Sequence, residues 1–464
     1  MIDTPVEVHW WLQDSGDDLT PRAPLDGSTQ VDVAIVGGGL SGLWTAWYLL
    51  ARDPSLRVLV VEAETVGFGA SGRNGAWLSP GVGVTPVELA RRTSPATARA
   101  TLATMRATVT EIADVCRAEG LDVDLRRGGI LRIARGSHEV APMRQGHDAL
   151  RELGLAADLH LLDAEELATR VRVADAHGAL FDPHGAVVHP GKLVRGLARR
   201  IEAAGGTIVE GTRVTEVLPR TTASGPRVET ERGSIVADAV VLACEAWLPQ
   251  LPGHARDVLP LYSLVVLTEP LDAATWDAIG WSQHEGLSSH RLTVDYLSRT
   301  VDGRILFGGR GAPYHFGSGV APEHDAHDPT HAELQRLLST WFPPLHGVRF
   351  AARWGGPLAM PRDWLASFTF DPRTSIGAAA GYTGQGVAAT NLAGRVLTDL
   401  IVDGHTAHAE LPMVGHRPRR WEPEPLRWLG ARVVQHGLAR VDARAAATGR
   451  PPTGRSLAER LARH

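Results

Sequence analysis

Three glycines near the start of the chain have the spacing of a phosphate-binding turn. Gly37, Gly39 and Gly42 fit G-x-G-x-x-G within "VDVAIVGGGLSGLWTAWYLL" (31–50). The first permits a tight turn, the second lets backbone approach a pyrophosphate, and the third lets a helix pack closely on a strand. Glu62 ends "LRVLVVE", 20 residues after Gly42. A carboxylate there accepts hydrogen bonds from ribose hydroxyls and favours a free ribose over a 2′-phosphate. Strand, turn, helix, strand and acid together predict a dinucleotide site. A long small-residue loop follows, "TVGFGASGRNGAWLSPG" (65–81), with Ser71, Arg73 and Asn74. It suggests a ligand that extends past the first turn; composition alone leaves NAD and FAD both open.

Other reactive types are scarce. Lys192 is the only lysine, in "HPGKLVRGL", which reads as the first turn of a surface helix rather than a Schiff-base site. Cys116 and Cys244 form no disulfide framework and read as buried thiols of a reducing compartment. The 20 histidines show no metal-ligand spacing. G-x-S-x-G, H-E-x-x-H and Cys-x-x-Cys are absent. A net charge of -5 leaves no footprint for nucleic acid. No basic and apolar leader opens the chain, and no run approaches ~20 apolar residues. The reading is a cytoplasmic protein without membrane or nucleic-acid partners.

The elements that must position these residues are legible in outline. The 464 residues allow two or three domains. "VDVAIV" reads as a buried parallel strand and "LSGLWTAWYLLA" as the helix after the turn. Helices are expected over 94–119 and 137–154, and a hairpin or strand pair over 123–135. A helix and strand follow over 189–217, then two strands over 233–247. Segments 259–271, 290–300 and 304–314 read as strands of a mixed sheet. Residues 376–401 repeat the strand, glycine turn, helix pattern, with Gly381, Gly384 and Gly386 at the turn. The fold class is therefore α/β: a Rossmann-like domain in pieces 31–92, 186–256 and 350–415, with an α+β substrate domain inserted at 93–185 and 257–349. Residues 1–30 form an extension. Residues 416–464 form a Pro- and Arg-rich tail expected to wrap the surface.

With these motifs in place the chain resembles the FAD-dependent D-amino acid oxidase superfamily, which includes glycine oxidase and sarcosine oxidase. "GFGASGRNGAW" and "AGYTGQGVAATNLAGRVL" look most like its γ-glutamylputrescine oxidase branch. The resemblance covers about residues 8–415. It implies that Gly37, Gly39, Leu40, Ser41 and Gly42 hold the FAD pyrophosphate, and Glu62 and Ala63 the adenosine ribose. Gly69, Ala70, Ser71, Arg73, Asn74 and Gly75 would line the ribityl and flavin region. Val214 would meet adenine through its backbone, and Ala243 would close over it. Gly384, Gln385, Gly386 and Val387 would aim a helix N-terminus at the flavin C2 carbonyl, where reduced flavin carries negative charge. The implied reaction is hydride transfer from the carbon beside an amine nitrogen to flavin N5, leaving an imine that hydrolyses. The partners would be a small amine and O2 or another electron acceptor.

Departures from the family pattern refine this. The 65–81 loop contains no histidine or cysteine for covalent attachment, so FAD is expected to be non-covalent. Cys244 stands where relatives often have glycine, and a packing role is expected. In glycine oxidase-like enzymes an arginine just after Trp-x-Gly clamps the substrate carboxylate; here "RWGGPLAM" places Pro357 and Leu358 there. That shifts the expectation from α-amino acids towards amines. Candidate substrate contacts are Arg310, His315, Tyr262 and Trp354, with Tyr314 beside them. The rival readings are an amino acid oxidase or dehydrogenase of the same superfamily, an FAD-binding subunit inactive alone, and a nicotinamide-dependent dehydrogenase.

Overall fold

The structure, a computed structural model, describes residues 4–310 and 314–462, with Arg310 described by its backbone alone. Two eight-stranded sheets organise the chain. In the first, the strand Thr29–Val36 lies at the centre, parallel to Gly233–Leu242 on one side and Val58–Val61 on the other. Ile376–Ala380 and Thr207–Val209 extend it in parallel, and Ser367–Asp371 closes one edge antiparallel.

Period-2 geometry explains why the opening strand is apolar throughout. Val33 and Ile35 join one core with Leu43 and Trp44 of the helix Leu40–Arg52, Leu197 of Pro190–Ala203 and Leu392 of Gly386–Val402. Ala34 and Val36 face the opposite core, with Val228, Ile235 and Val240. The chain leaves this sheet into the glycine turn. Gly37 has φ +114°, and a Cβ on Gly42 would sit 2.1 Å from the Gly37 carbonyl oxygen. Both positions therefore need glycine for steric reasons.

The second sheet runs in the order Phe350–Met360, Leu259–Thr268, Ile305–Arg310, Asp295–Arg299, Gly286–Ser289, Ile130–Arg135, Ala176–Asp182, His160–Leu162. It is mixed: Gly286–Ser289 and Ile130–Arg135 are parallel and the other pairs antiparallel. One face is covered by the helix Asp328–Trp341, whose Leu334, Leu338 and Trp341 pack on Tyr262, Leu264 and Val266.

Several local expectations change. Residues 123–135 hold one strand, Ile130–Arg135, because the chain before it bends through Asp124 at φ +53° and Gly129 at φ +82° and pairs only at Arg126 with Val187. Residues 233–247 also hold one strand, which ends in the 3-10 helix Glu245–Gln250. Phe350–Met360, placed from sequence with the nucleotide part, pairs along its length with Leu259–Thr268 in the second sheet. The tail contains the helices Leu426–Thr448 and Leu457–Ala462. The amino-terminal helix Trp10–Asp14 is built into the fold: Trp11 is buried and its indole N–H donates to the Asn74 carbonyl at 2.9 Å. Lys192 lies in the first turn of Pro190–Ala203, and its ammonium donates to Asp124 at 2.8 Å. Among the described residues no helix is long and apolar enough to cross a membrane.

Candidate active site

Between the two sheets lies one cavity of about 850 Å³. Its first end is backbone. Gly37, Gly39, Leu40 and Ser41 line it, beneath the helix Leu40–Arg52. That helix begins at Gly39 with no side-chain cap, and Gly386–Val402 begins at Gln385 likewise. Two helix N-termini thus meet one cavity, with the partial positive charge suited to an anionic ligand. A Cβ on Gly39 would come within 2.9 Å of Ser71 Oγ. Ser71 Oγ itself accepts from the Leu40 N–H at 2.8 Å, which ties the turn to the following loop.

The carboxylate of Glu62 accepts from the backbone N–H groups of Gly38 at 2.7 Å and Glu64 at 2.9 Å. No cation pairs with it among the described residues. Burial pushes its pKa up, and the two backbone donors oppose that. Hydroxyl donors at this acid would relieve the cost. Ala63, Val214 and Ala243 complete this end.

The 65–81 loop forms the middle. Gly69, Ala70, Ser71, Arg73, Asn74 and Gly75 all line the cavity. Their side chains mostly hold the loop itself. Asn74 donates to the Ala70 and Ser71 carbonyls and accepts from the Ala76 N–H at 2.9 Å. Arg73 lies over the Phe68 ring, donates to the Phe68 carbonyl at 2.7 Å and pairs with Asp325 at 2.7 Å. Facing them, Gly384, Gln385, Gly386 and Val387 also line the cavity. Gln385 Oε1 accepts from the Gly83 N–H at 2.9 Å, which clips the end of the loop onto the late turn. Ser41 Oγ and the Tyr382 hydroxyl lie 2.7 Å apart, which joins the two helix starts.

A model of the family described as DAO, FAD dependent oxidoreductase, matches residues 32–400. The chain belongs to this family of FAD-dependent oxidoreductases. This oxidoreductase is 30% identical over 407 residues to gamma-glutamylputrescine oxidoreductase of Escherichia coli (strain K12), covering 86% of this chain and 90% of the relative. It is 26% identical over 387 residues to glycine oxidase of Geobacillus kaustophilus (strain HTA426), covering 81% and 94%. The fold matches a solved glycine oxidase from Geobacillus kaustophilus with TM-score 0.68 at 24% identity, over 83% of this chain and 99% of that one. L-proline dehydrogenase from P. horikoshii gives TM-score 0.66 at 20% identity, over 82% and 96%. The cavity fits the cofactor on its own terms. The helix starts and the glycine clearance suit a pyrophosphate, and the half-buried acid, without a cationic partner among the described residues, suits a ribose.

Of the residues nominated from sequence for substrate contact, Tyr262, Tyr314, His315 and Trp354 do not line the cavity. Ser263 lines the cavity, so Tyr262, its neighbour on the strand, points to the opposite face. There it is fully buried against the ring of His315, with centroids 5.5 Å apart. His315 stacks on His324, and burial pushes its pKa down to about 4. Trp354 is on the cavity side but covered by Trp11 and Ala76, and its indole N–H donates to the Arg73 carbonyl at 3.0 Å. It braces the loop from behind. The Arg310 side chain lies outside the described residues; its backbone pairs with Ser263. Gly42 is the one nominated cofactor residue absent from the lining, because its space is taken by the turn above it.

The far end of the cavity is side chain, and the sequence reading did not name its residues. Arg132, Ser288, His290, Asp295 and Tyr296 line it, with Trp77 and Trp364. Asp295 accepts from the Ser289 N–H and hydroxyl, each at 2.8 Å. Burial pushes the His290 pKa down to about 4, so its ring is neutral at physiological pH. The helix Leu426–Thr448 fastens this wall: Asp442 accepts from the backbone N–H groups of Leu292 at 3.0 Å and Thr293 at 2.8 Å. The missed signal was the alternation in "ILRIAR", where a lone arginine stands between residues of a strand core. Cys244 also lines the cavity; its thiol meets the Val36 carbonyl at 3.4 Å, and burial pushes its pKa up to about 12. It is therefore a thiol, not a nucleophilic thiolate. Among the described residues no group of three His, Cys, Asp or Glu is placed to hold a metal ion.

Proposed function

We propose that this oxidoreductase oxidises the C–N bond of a primary or secondary amine whose reacting carbon bears no carboxylate, with FAD held non-covalently. The observation that carries this reading is the wall made by Gly356, Pro357 and Leu358, all of which line the cavity. An α-carboxylate clamp would need a guanidinium there; apolar side chains and a glycine stand in its place. Gamma-glutamylputrescine oxidoreductase, the relative at 30% identity, bears the name of an amine derivative, which supports the same reading.

Bound FAD supplies the acceptor for two electrons and the hydrogen of the reacting carbon, and passes the electrons to oxygen or another acceptor. The protein's residues do the rest. Gly37, Gly39 and the start of Leu40–Arg52 would hold the pyrophosphate, and Glu62 the ribose. The start of Gly386–Val402 would stabilise negative charge at the far side of the ring system. Trp77, Tyr296 and Trp364, which line the cavity, would enclose the substrate and exclude water. The neutral His290 adds no positive charge of its own to the cavity, which suits oxidation of the unprotonated amine. The imine product then takes up water and splits to a carbonyl compound and an amine or ammonia.

The test is spectroscopic. Acid precipitation of the flavin-loaded protein should leave the yellow colour in the supernatant, and colour in the pellet would overturn non-covalent binding. Without air, γ-glutamylputrescine or a simple amine should bleach the flavin, whereas glycine and D-alanine should not. Bleaching by the amino acids alone would overturn the amine reading.

A further inference from the structure

Arg132 is the unexplained charge of the cavity. It belongs to the strand Ile130–Arg135, where Leu131 and Ile133 point into the helix-covered core and Ile130 and Arg132 line the cavity. Its side chain remains exposed, although protein surrounds it closely enough for burial to push its pKa down. Both hold because the exposure is to the cavity. Among the described residues its guanidinium has no hydrogen bond or ion pair; Asp182, on the neighbouring strand, supports its charge only at a distance. Among the described residues the other arginine of this wall, Arg291, is near Asp442 at 3.9 Å, and Arg73 is paired with Asp325. Five rigid donors on a partly dehydrated cation call for a planar anionic acceptor.

Register shows where that acceptor would sit. Arg132 pairs with Ser288, and the antiparallel contact of Leu287 with Leu297 puts Ser288 opposite Tyr296. Tyr296 presses on the 65–81 loop: a Cβ on Gly75 would lie 2.2 Å from its ring. Two strand spacings of about 5 Å put Arg132 about 10 Å along the sheet from that contact. Ser288 and Tyr296 share the cavity face between them.

We propose that Arg132 anchors a carboxylate at the end of the substrate remote from the reacting amine, so that the protein selects amines joined by a chain to a carboxylate. This rests on the amine reading above and adds the remote group. It also explains how one cavity can lack an α-carboxylate clamp and still keep a bare arginine.

The test uses the flavin-loaded full chain and a carboxylate that cannot be oxidised, so that binding is read without turnover. Calorimetric titration with hexanoate and with hexanamide should show the acid bound on the order of tenfold to a hundredfold more tightly, the worth of a charge-assisted pair. In Arg132→Gln the two should bind alike. Arg132→Lys, which keeps the charge but loses the fork, should recover part of the preference, and its melting temperature guards against a folding defect. Equal binding of the two probes by the wild type, no binding of either, or an undiminished preference in Arg132→Gln would each overturn the proposal. Anaerobic bleaching by a straight-chain amine ending in carboxylate, against the amine of equal length ending in amide, separates the two readings. Should neither amine bleach the flavin while hexanoate binding still depends on Arg132, the amine reading fails and the anion anchor stands.

Discussion

The two ends of the cavity are built by opposite means. At the nucleotide end the lining is backbone: glycines, two helix starts, and an acid held by main-chain donors. At the far end it is side chain, projected from one face of a mixed sheet by Arg132, Ser288 and Tyr296. The first end tolerates almost no change of volume because a Cβ would strike backbone. The second tolerates change of shape but depends on which way each strand faces.

The largest effect should come from the backbone end. Gly42→Val would drive a branched Cβ into the Gly37 carbonyl, 2.1 Å from an ideal Cβ. The variant should lose at least about 3 kcal/mol of stability and most of its flavin, read by urea unfolding and the flavin-to-protein ratio. Retention of both would show that the turn is not sterically fixed.

The next effect is a pH slope at the side-chain end. Glu139 accepts from the backbone N–H groups of Arg135 and His290, both on Oε2 at 3.0 Å, and so supports the cavity wall. Burial pushes its pKa from the ordinary 4.5 up to about 7. The folded protein therefore holds a proton that the unfolded chain has released between those values. Its contribution is intact below 4.5 and is lost as pH rises through about 7, a loss of about 1–3 kcal/mol. Glu139→Gln keeps an oxygen for both donors and should show a shallower fall in urea midpoint across that window. An unchanged slope would place the titration elsewhere.

A smaller effect should separate the two ends. Asp442→Ala frees the segment of Leu292 and Thr293 beside the far wall. Substrate KM should rise on the order of tenfold, from the loss of about 1–2 kcal/mol of ordering, with flavin content unchanged. Loss of flavin instead would mean that the ends are mechanically coupled. The smallest is Trp354→Phe, which removes only the donor to the Arg73 carbonyl at 3.0 Å. Flavin affinity should fall a few-fold, for a hydrogen bond worth about 1 kcal/mol, and the pH profile of turnover should not move.

Legibility followed the same division. Gly37, Gly39, Glu62 and the late "TGQG", singled out from sequence, line the cavity because their constraint is local: a turn, a close approach, a helix start within a few residues. The family follows from the same local motifs. The hairpin or strand pair expected over 123–135 around Gly128 and Gly129 gave one strand, because the chain before the glycines also bends at Asp124, a positive-φ residue that no pattern marked. Tyr262 was nominated for the right strand and the wrong face, since adjacent residues of a strand serve opposite sides and only packing says which side is the cavity.

By itself, then, the sequence determined the cofactor class, the parallel sheet that carries the first turn, and the backbone-built half of the site. Tertiary structure alone decided the side-chain half. It brought Arg132, Ser288 and Tyr296 into one row from three separate segments, left Arg132 without a partner among the described residues, and turned Trp354 into a brace. Glycine turns act on their own neighbours in the chain, whereas a cavity face is set by strand register across residues more than a hundred positions apart.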